Sequence, residues 1–306
     1  MQEVTRTRND RTTLFAAALL TFTALSWSGN YVLGRAIAEE VPAGGLAVAR
    51  WLLALVCMVI PAWPHLAADW PTLWRHRGIV LFLTFTGGAV FGTLHFVAMK
   101  YTSATNGALL AANSPILIAT AGALLFGDTL SATRTFGLVL SLAGAVVIVA
   151  RGEIGNLVAF NLNAGDPLLL LNLVIWAIYS ACLRLKPRLH WLSFTFALAF
   201  VSVVANIPVA LLETYHGQPM RLTATTFWSV MYAGLVSSAL AFASWNRGVE
   251  LIGSQRAGAY LNLIPLFSVL LAWLLLGERL QPFHMVGCGL IVSGIVVSTR
   301  TTQARS

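Results

Sequence analysis

The sequence predicts an all-α membrane protein in which ten transmembrane helices form two inverted five-helix repeats around a central cavity. Three observations lead there. Hydrophobic residues make up 58% of the 306 and charged residues only 10%; ten apolar segments reach the length of a membrane crossing; and the second half of the chain repeats the first. A soluble domain ordinarily carries about 25% charged residues. So few charges cannot cover a soluble protein of this size, and the apolar remainder must face lipid.

The elements follow from length, since crossing ~30 Å of hydrocarbon at about 1.5 Å per residue takes about 20 helical residues. The tail 1–12 sets Arg6, Arg8 and Arg11 before an apolar run and so mimics a signal peptide. That run extends from Thr13 to Gly34, longer than an h-region of roughly 7–15 residues, and reads as the first span, 13–34. Nine more follow at 43–63, 78–99, 104–126, 132–150, 166–184, 191–212, 225–247, 255–277 and 281–299. With no water in the bilayer to satisfy open backbone groups, each is predicted to be a helix. Short connections carry loop punctuation, Pro61, Pro64, Gly155, Pro187 and Gly217. The first repeat covers 13–151, the second 166–299, and 300–306 is a tail.

Charge sets the orientation. With a cytoplasmic N-terminus, thirteen Lys and Arg fall on the inner side and five (Arg35, Lys100, Arg151, Arg221 and Arg279) on the outer side. This positive-inside bias places both termini in the cytoplasm. The net charge of +8 does not point to nucleic acid, because the basic residues lie between apolar runs rather than along one polar face. Cys57, Cys182 and Cys288 each sit in an apolar stretch without metal-site spacing and read as packing residues. No metal or cofactor is expected. The partners expected are a small-molecule substrate and the lipid bilayer, and the sequence does not specify an oligomeric state.

The repeat is the most informative feature. A displacement of 150 residues lays Pro115 on Pro265, Gly127 on Gly277, Leu130 on Leu280, Gly137 on Gly287 and Gly144 on Gly294. Asp128 then falls on Glu278, so an acid ends the helix in both copies. A displacement of 149 lays Trp27 on Trp176 and Arg35 on Arg184. Five spans per copy is an odd number, so the second copy enters the membrane in the opposite sense. Inverted repeats suit alternating access, because the two mirrored openings have similar energies. The glycine pairs read as close helix contacts.

A Trp late in the first helix, then Pro, Gly-Asp/Glu-x-Leu, Gly and Gly in both halves, resembles the drug/metabolite transporter superfamily, and within it the EamA branch of ten-helix carriers. The resemblance covers residues 13–299. The intramembrane aromatics are further similar to bacterial exporters of aromatic amino acids. The resemblance implies two bundles around a central substrate cavity in the bacterial inner membrane, with export from the cytoplasm.

Polar groups inside a membrane are costly, so each is a candidate for the cavity wall. Trp27 and Tyr31 share a helix face with Asn30 beside them, and Trp176 and Tyr179 are their counterparts. Phe91, His95 and Met99 form one row, Trp245 falls opposite His95 by the repeat, Asn106 and Asn113 form a row on the fourth span, and the ninth carries Tyr260 and Asn262. The substrate-binding set is therefore Trp27, Asn30, Tyr31, His95, Met99, Asn113, Trp176, Tyr179, Trp245, Tyr260 and Asn262. Arg50 is read as snorkelling to the headgroups, with a role as carboxylate partner or outer gate as the alternative. That leaves no Arg or Lys at depth, and the wall suits a planar apolar body with a net-neutral head, such as an aromatic or large apolar amino acid.

All eleven Asp and Glu fall in tails, loops or helix ends. A passive facilitator is expected, with a proton antiporter using His95 as the alternative. A membrane-embedded enzyme needs paired acids, a His-Asp pair or an activated nucleophile. None is present, and no catalytic residues are expected.

Overall fold

The computed structural model describes residues 2–128, 132–153, 163–252, 257–258 and 260–300. Leu130, Gly155 and the tail beyond Arg300 lie outside them, as do, among the thirteen inner-side basic residues, Arg256 and the side chains of Arg6, Arg8, Arg11, Arg134 and Arg300. Among the described residues there is no strand. The first helix runs Gln2–Ala36 and the second Ala43–Arg75. The third span joins Arg77–Thr84 to Phe91–Met99 through a π-helical segment, Phe85–Val90. The fourth is Ala104–Ala111 and Ser114–Phe126, and the fifth Ala132–Val149. The second half follows with Gly165–Cys182, Trp191–Tyr215, then Ala224–Met231 and Ala241–Ile252 joined by a π-helical segment, Tyr232–Leu240. Leu263–Leu276 and Pro282–Arg300 complete it.

Six of these are long and apolar enough to cross a membrane, or seven if the bent fourth pair is one span. Over their described residues the other three apolar helices are shorter. Exposed side chains such as Ile60, Leu124, Leu211 and Leu275 give the outside the apolar surface that lipid requires.

The first helix begins before the apolar run, at Gln2. Two expectations are corrected. Pro61 and Pro64 do not punctuate a loop: with Pro71 they lie inside the second helix, which runs on to Arg75. A proline removes one backbone bond, and neighbouring helices make such gaps tolerable in a membrane. The fourth span is broken, with its halves meeting at 43°.

Helix packing follows the repeat. The first helix lies against Ala241–Ile252 and Leu263–Leu276, just as Gly165–Cys182 lies against Phe91–Met99 and Ser114–Phe126. The second helix pairs with its counterpart Trp191–Tyr215, and Ala132–Val149 with Pro282–Arg300. In the last pair a side chain at Gly144 would come 2.5 Å from the Gly287 carbonyl oxygen, so the backbones touch there. The halves also run in opposite senses. Arg35, at the end of the first helix, and Asn163, just before the sixth, open onto the same vestibule.

The structure explains why the acids sit at helix ends. Glu213 accepts the N–H groups of Gly44 and Gly45, both at 3.0 Å, and so caps the second helix from its repeat partner. Glu278 accepts from the N–H groups of Ala104 and Thr105 at 3.0 and 2.9 Å. A helix N-terminus carries unpaired donors and partial positive charge, and a carboxylate answers both. The preceding glycines, Gly127 and Gly277, hold left-handed φ values of 69° and 65° and end their helices alike. A side chain at either would strain that turn.

Candidate functional site

A cavity lies where the two halves meet. Its wall is Trp27, Asn30, Tyr31, Arg50, Phe91, Gly92, His95, Ala111, Ser114, Leu173, Trp176, Phe242, Leu261 and Ile264. The aromatic groups pack on one another. The Trp27 ring centroid is 5.3 Å from Trp176, 5.1 Å from Phe242 and 5.5 Å from Trp245. Trp176 is also 4.6 Å from Phe91 and 5.1 Å from Tyr179. These separations lie in the favourable range for edge and tilted aromatic pairs. In this conformation the rings nearly fill the cavity: the space open to the centre of a water molecule is about 40 Å³, room for about three waters.

The π-helical segments bring the walls together. Within Tyr232–Leu240, the Ser237 carbonyl accepts from Trp27 Nε1 at 3.2 Å, and Ser237 Oγ accepts from Asn30 Nδ2 at 2.5 Å. In Phe85–Val90, a side chain at Gly87 would collide with the Tyr179 ring, so that helix approaches the sixth on a face without side chains. A π-turn widens the helix and commonly marks a functional site. His95 packs edge-on to Tyr31 at 4.7 Å, and its Nε2 lies 3.3 Å from the Asn30 carbonyl oxygen. Asn30 Oδ1 is buried without a partner.

Arg50 corrects the sequence reading. It does not snorkel: it is 2% exposed and lines the cavity. Its Cζ sits 5.1 Å from the Trp51 ring and 5.2 Å from Phe96. Among the described residues it has no acid in ion-pair range, and its Nε has no hydrogen-bond partner. Burying an unpaired cation costs several kcal/mol even after relaxation, and two cation–π contacts at about 1–2 kcal/mol each do not clearly offset that. The cavity is therefore cationic, and among the described residues no carboxylate lines it.

Of the predicted set, Trp27, Asn30, Tyr31, His95 and Trp176 line the cavity together. Tyr179 and Trp245 are buried behind Trp176 and Trp27 as a second layer. Met99 is fully buried, and a side chain at Gly34 would meet it at 3.0 Å, so it fills the contact between the first and third helices. Asn113 is buried at the break of the fourth span, where Nδ2 donates to the Leu110 carbonyl at 3.0 Å. The break also removes the expected row with Asn106. Tyr260 and Asn262 are half-buried and flank Leu261, which does line the wall.

Asn106 instead joins a buried network. Its Nδ2 donates to Asp166 at 3.2 Å, and its Oδ1 lies 2.7 Å from His284 Nε2. Thr102 donates its hydroxyl to the same Asp166. This network borders a wide vestibule with Arg35, Lys100, Arg151, Glu278 and Arg279, where the space open to a water centre is about 940 Å³. At the other end, Arg184 donates to both Asp128 oxygens at 3.1 and 2.6 Å. There too the rings of His65 and His190 stack at 3.5 Å.

The EamA-like transporter family matches residues 14–150 and again 163–300. The chain belongs to this family. Among its relatives, an uncharacterized transporter of Archaeoglobus fulgidus is 27% identical over 92% of this chain and 96% of its own length. A probable terminal-alkyne amino-acid exporter of Streptantibioticus cattleyicolor is 24% identical over 94% of each chain. One solved crystal structure shares the fold with a TM-score of 0.66 at 22% identity, covering 97% of this chain and 99% of that one. Two matches of one family make this EamA-like protein a membrane transporter built from two homologous halves.

Sequence reasoning missed several wall residues of this EamA-like transporter. Phe242 and Gly92 carried a signal, since each sits near a candidate, Trp245 or His95, on the same helix. Leu173, three residues before Trp176, and Leu261, between Tyr260 and Asn262, carried the same signal, whereas Ile264 carried none, because an apolar side chain in a span reads the same whether it faces lipid or a cavity.

Proposed function

We propose that this chain exports aromatic or large apolar amino acids across the bacterial inner membrane, through ten spans and by alternating access. The observation that carries this reading is the cavity between the repeats, walled by Trp27, Tyr31, Phe91, Trp176 and Phe242. Flat rings and aliphatic chains can exchange with those wall contacts one for one. The repeat supplies the movement. It equates Arg184–Asp128, which are paired, with Arg35–Glu278, which both border the open vestibule and form no ion pair among the described residues. Alternating access exchanges these two mouths: Arg35 closes on Glu278 as Arg184 releases Asp128. With basic residues on the cytoplasmic side, the open vestibule faces outward.

Among the described residues no acid lines the cavity, so a substrate gradient alone is expected to drive flux. Vesicles containing the purified protein and loaded with unlabelled tryptophan are expected to take up labelled tryptophan transiently above equilibrium, without a proton gradient. No counterflow of any aromatic or large apolar amino acid contradicts the reading. The rival reading, a proton antiporter, rests on His95 in the wall. Uphill accumulation driven by a pH gradient and lost in His95→Gln establishes it instead.

A further inference from the structure

We propose that Arg50, seated against Gly92, reads the carboxylate of the substrate, so that this transporter recognises anionic or zwitterionic molecules with a free carboxylate and not merely apolar rings. This inference rests on the proposed function and names the chemistry of its headgroup.

The geometry supplies a seat. A Cβ at Gly92 would lie 1.9 Å from Arg50 Nη2, so only glycine leaves room for the guanidinium. Trp51 Nε1 would lie 3.6 Å from the same Cβ and has no acceptor of its own. One spot thus collects two unpartnered donors, Arg50 Nε and Trp51 Nε1, on side chains 2% and 0% exposed. Asn30 Oδ1, on the same cavity wall, is a buried acceptor without a donor. An α-amino acid brings the complement: two carboxylate oxygens for the donors and an ammonium for the acceptor. Its side chain then falls among Trp27, Phe91, Trp176 and Phe242. A guanidinium binds a carboxylate through two parallel bonds, which a lysine ammonium cannot reproduce.

A purely structural Arg50 is the competing explanation. The rings of Trp51 and Phe96 hold it, yet they satisfy none of its N–H groups. They leave its charge without a counter-ion in a wall whose described residues include no acid.

The test uses the wild-type protein first. Four indole compounds compete for counterflow and are scored in parallel for thermal stabilisation of the purified protein: tryptophan, its methyl ester, tryptamine and indole-3-propionate. Indole-3-propionate is expected to compete and stabilise, whereas tryptamine and the ester do so at least about tenfold more weakly, the size of one good charge-assisted contact. Equal potency of tryptamine and indole-3-propionate overturns the assignment. Arg50→Gln is expected to remove the advantage of the carboxylates while tryptamine, freed of like-charge repulsion, binds no more weakly than before, and Arg50→Lys to restore part of that advantage. A uniform loss for every compound assigns Arg50 to structure alone. Gly92→Ala, which displaces the guanidinium without altering charge, is expected to weaken the carboxylates selectively. If a variant does not fold, the wild-type panel still decides. Failure of tryptophan flux overturns the transport reading, and the stabilisation panel then judges Arg50 separately: no stabilisation by any carboxylate overturns it as well.

Discussion

Replacing Trp176 by Ala is expected to reduce transport of aromatic substrates about tenfold or more, while flux of a small aliphatic amino acid that the protein accepts falls much less. Trp176 lies within 4.6–6.4 Å of Trp27, Phe91, Tyr179, Phe242 and Trp245, more rings than any other member of the cluster meets. An aromatic pair contributes ~0.5–1.5 kcal/mol beyond the area it buries, and about 1.4 kcal/mol is tenfold in affinity. A substrate ring inserted among these rings exchanges with contacts of that kind, and a small side chain does not. Flux of a tryptophan/alanine pair, with yield and melting temperature measured beside it, separates selective loss from general damage. Equal losses for both substrates place Trp176 in the scaffold only.

Locking one mouth shut has the second large effect. Asp128 and Arg184 are both more than a third exposed, so their ion pair contributes little to stability. The double variant Asp128→Cys/Arg184→Cys, with Cys57, Cys182 and Cys288 replaced, is therefore expected to fold and transport. Linking the two thiols with a cleavable bifunctional reagent is expected to bring flux down to that of empty vesicles, and cleavage to restore it. Full-rate transport by the linked protein contradicts an alternating opening at this end.

Much of this was legible in one dimension. Long apolar runs dictate helices wherever lipid forbids open backbone, and Pro115/Pro265, Gly127/Gly277 and Asp128/Glu278 revealed two halves, the glycine pair because each ends its helix with the same left-handed turn. The edge-to-face tryptophan pair was legible too, since Trp27 and Trp176 are repeat equivalents. Other features depend on direction, which hydropathy does not record. Arg50 lies seven residues into its helix, about 10 Å at 1.5 Å per residue, a depth compatible with either snorkelling or burial. What decides it is a glycine on another helix, Gly92, that leaves room for the guanidinium. The π-helical segments were hidden for a related reason. Gly87, Gly88 and Gly234 carry no hydropathy signal, and only the folded chain shows that Tyr179, Ser202 and Leu53 lie where a side chain at these positions would be. Pro61 and Pro64 misled because proline ends helices in water far more readily than in a bundle.

The most direct test is the distance across each mouth, measured by pulsed electron resonance on spin labels at exposed positions. One labelled pair, Leu125 and Leu185, spans the Arg184 end; the other, Tyr101 and Leu280, spans the vestibule. Adding tryptophan to protein in bilayers is expected to populate a second distance in both pairs, longer at the Arg184 end and shorter at the vestibule. Distances that stay fixed, or that lengthen together, contradict a cavity opened alternately by two inverted halves.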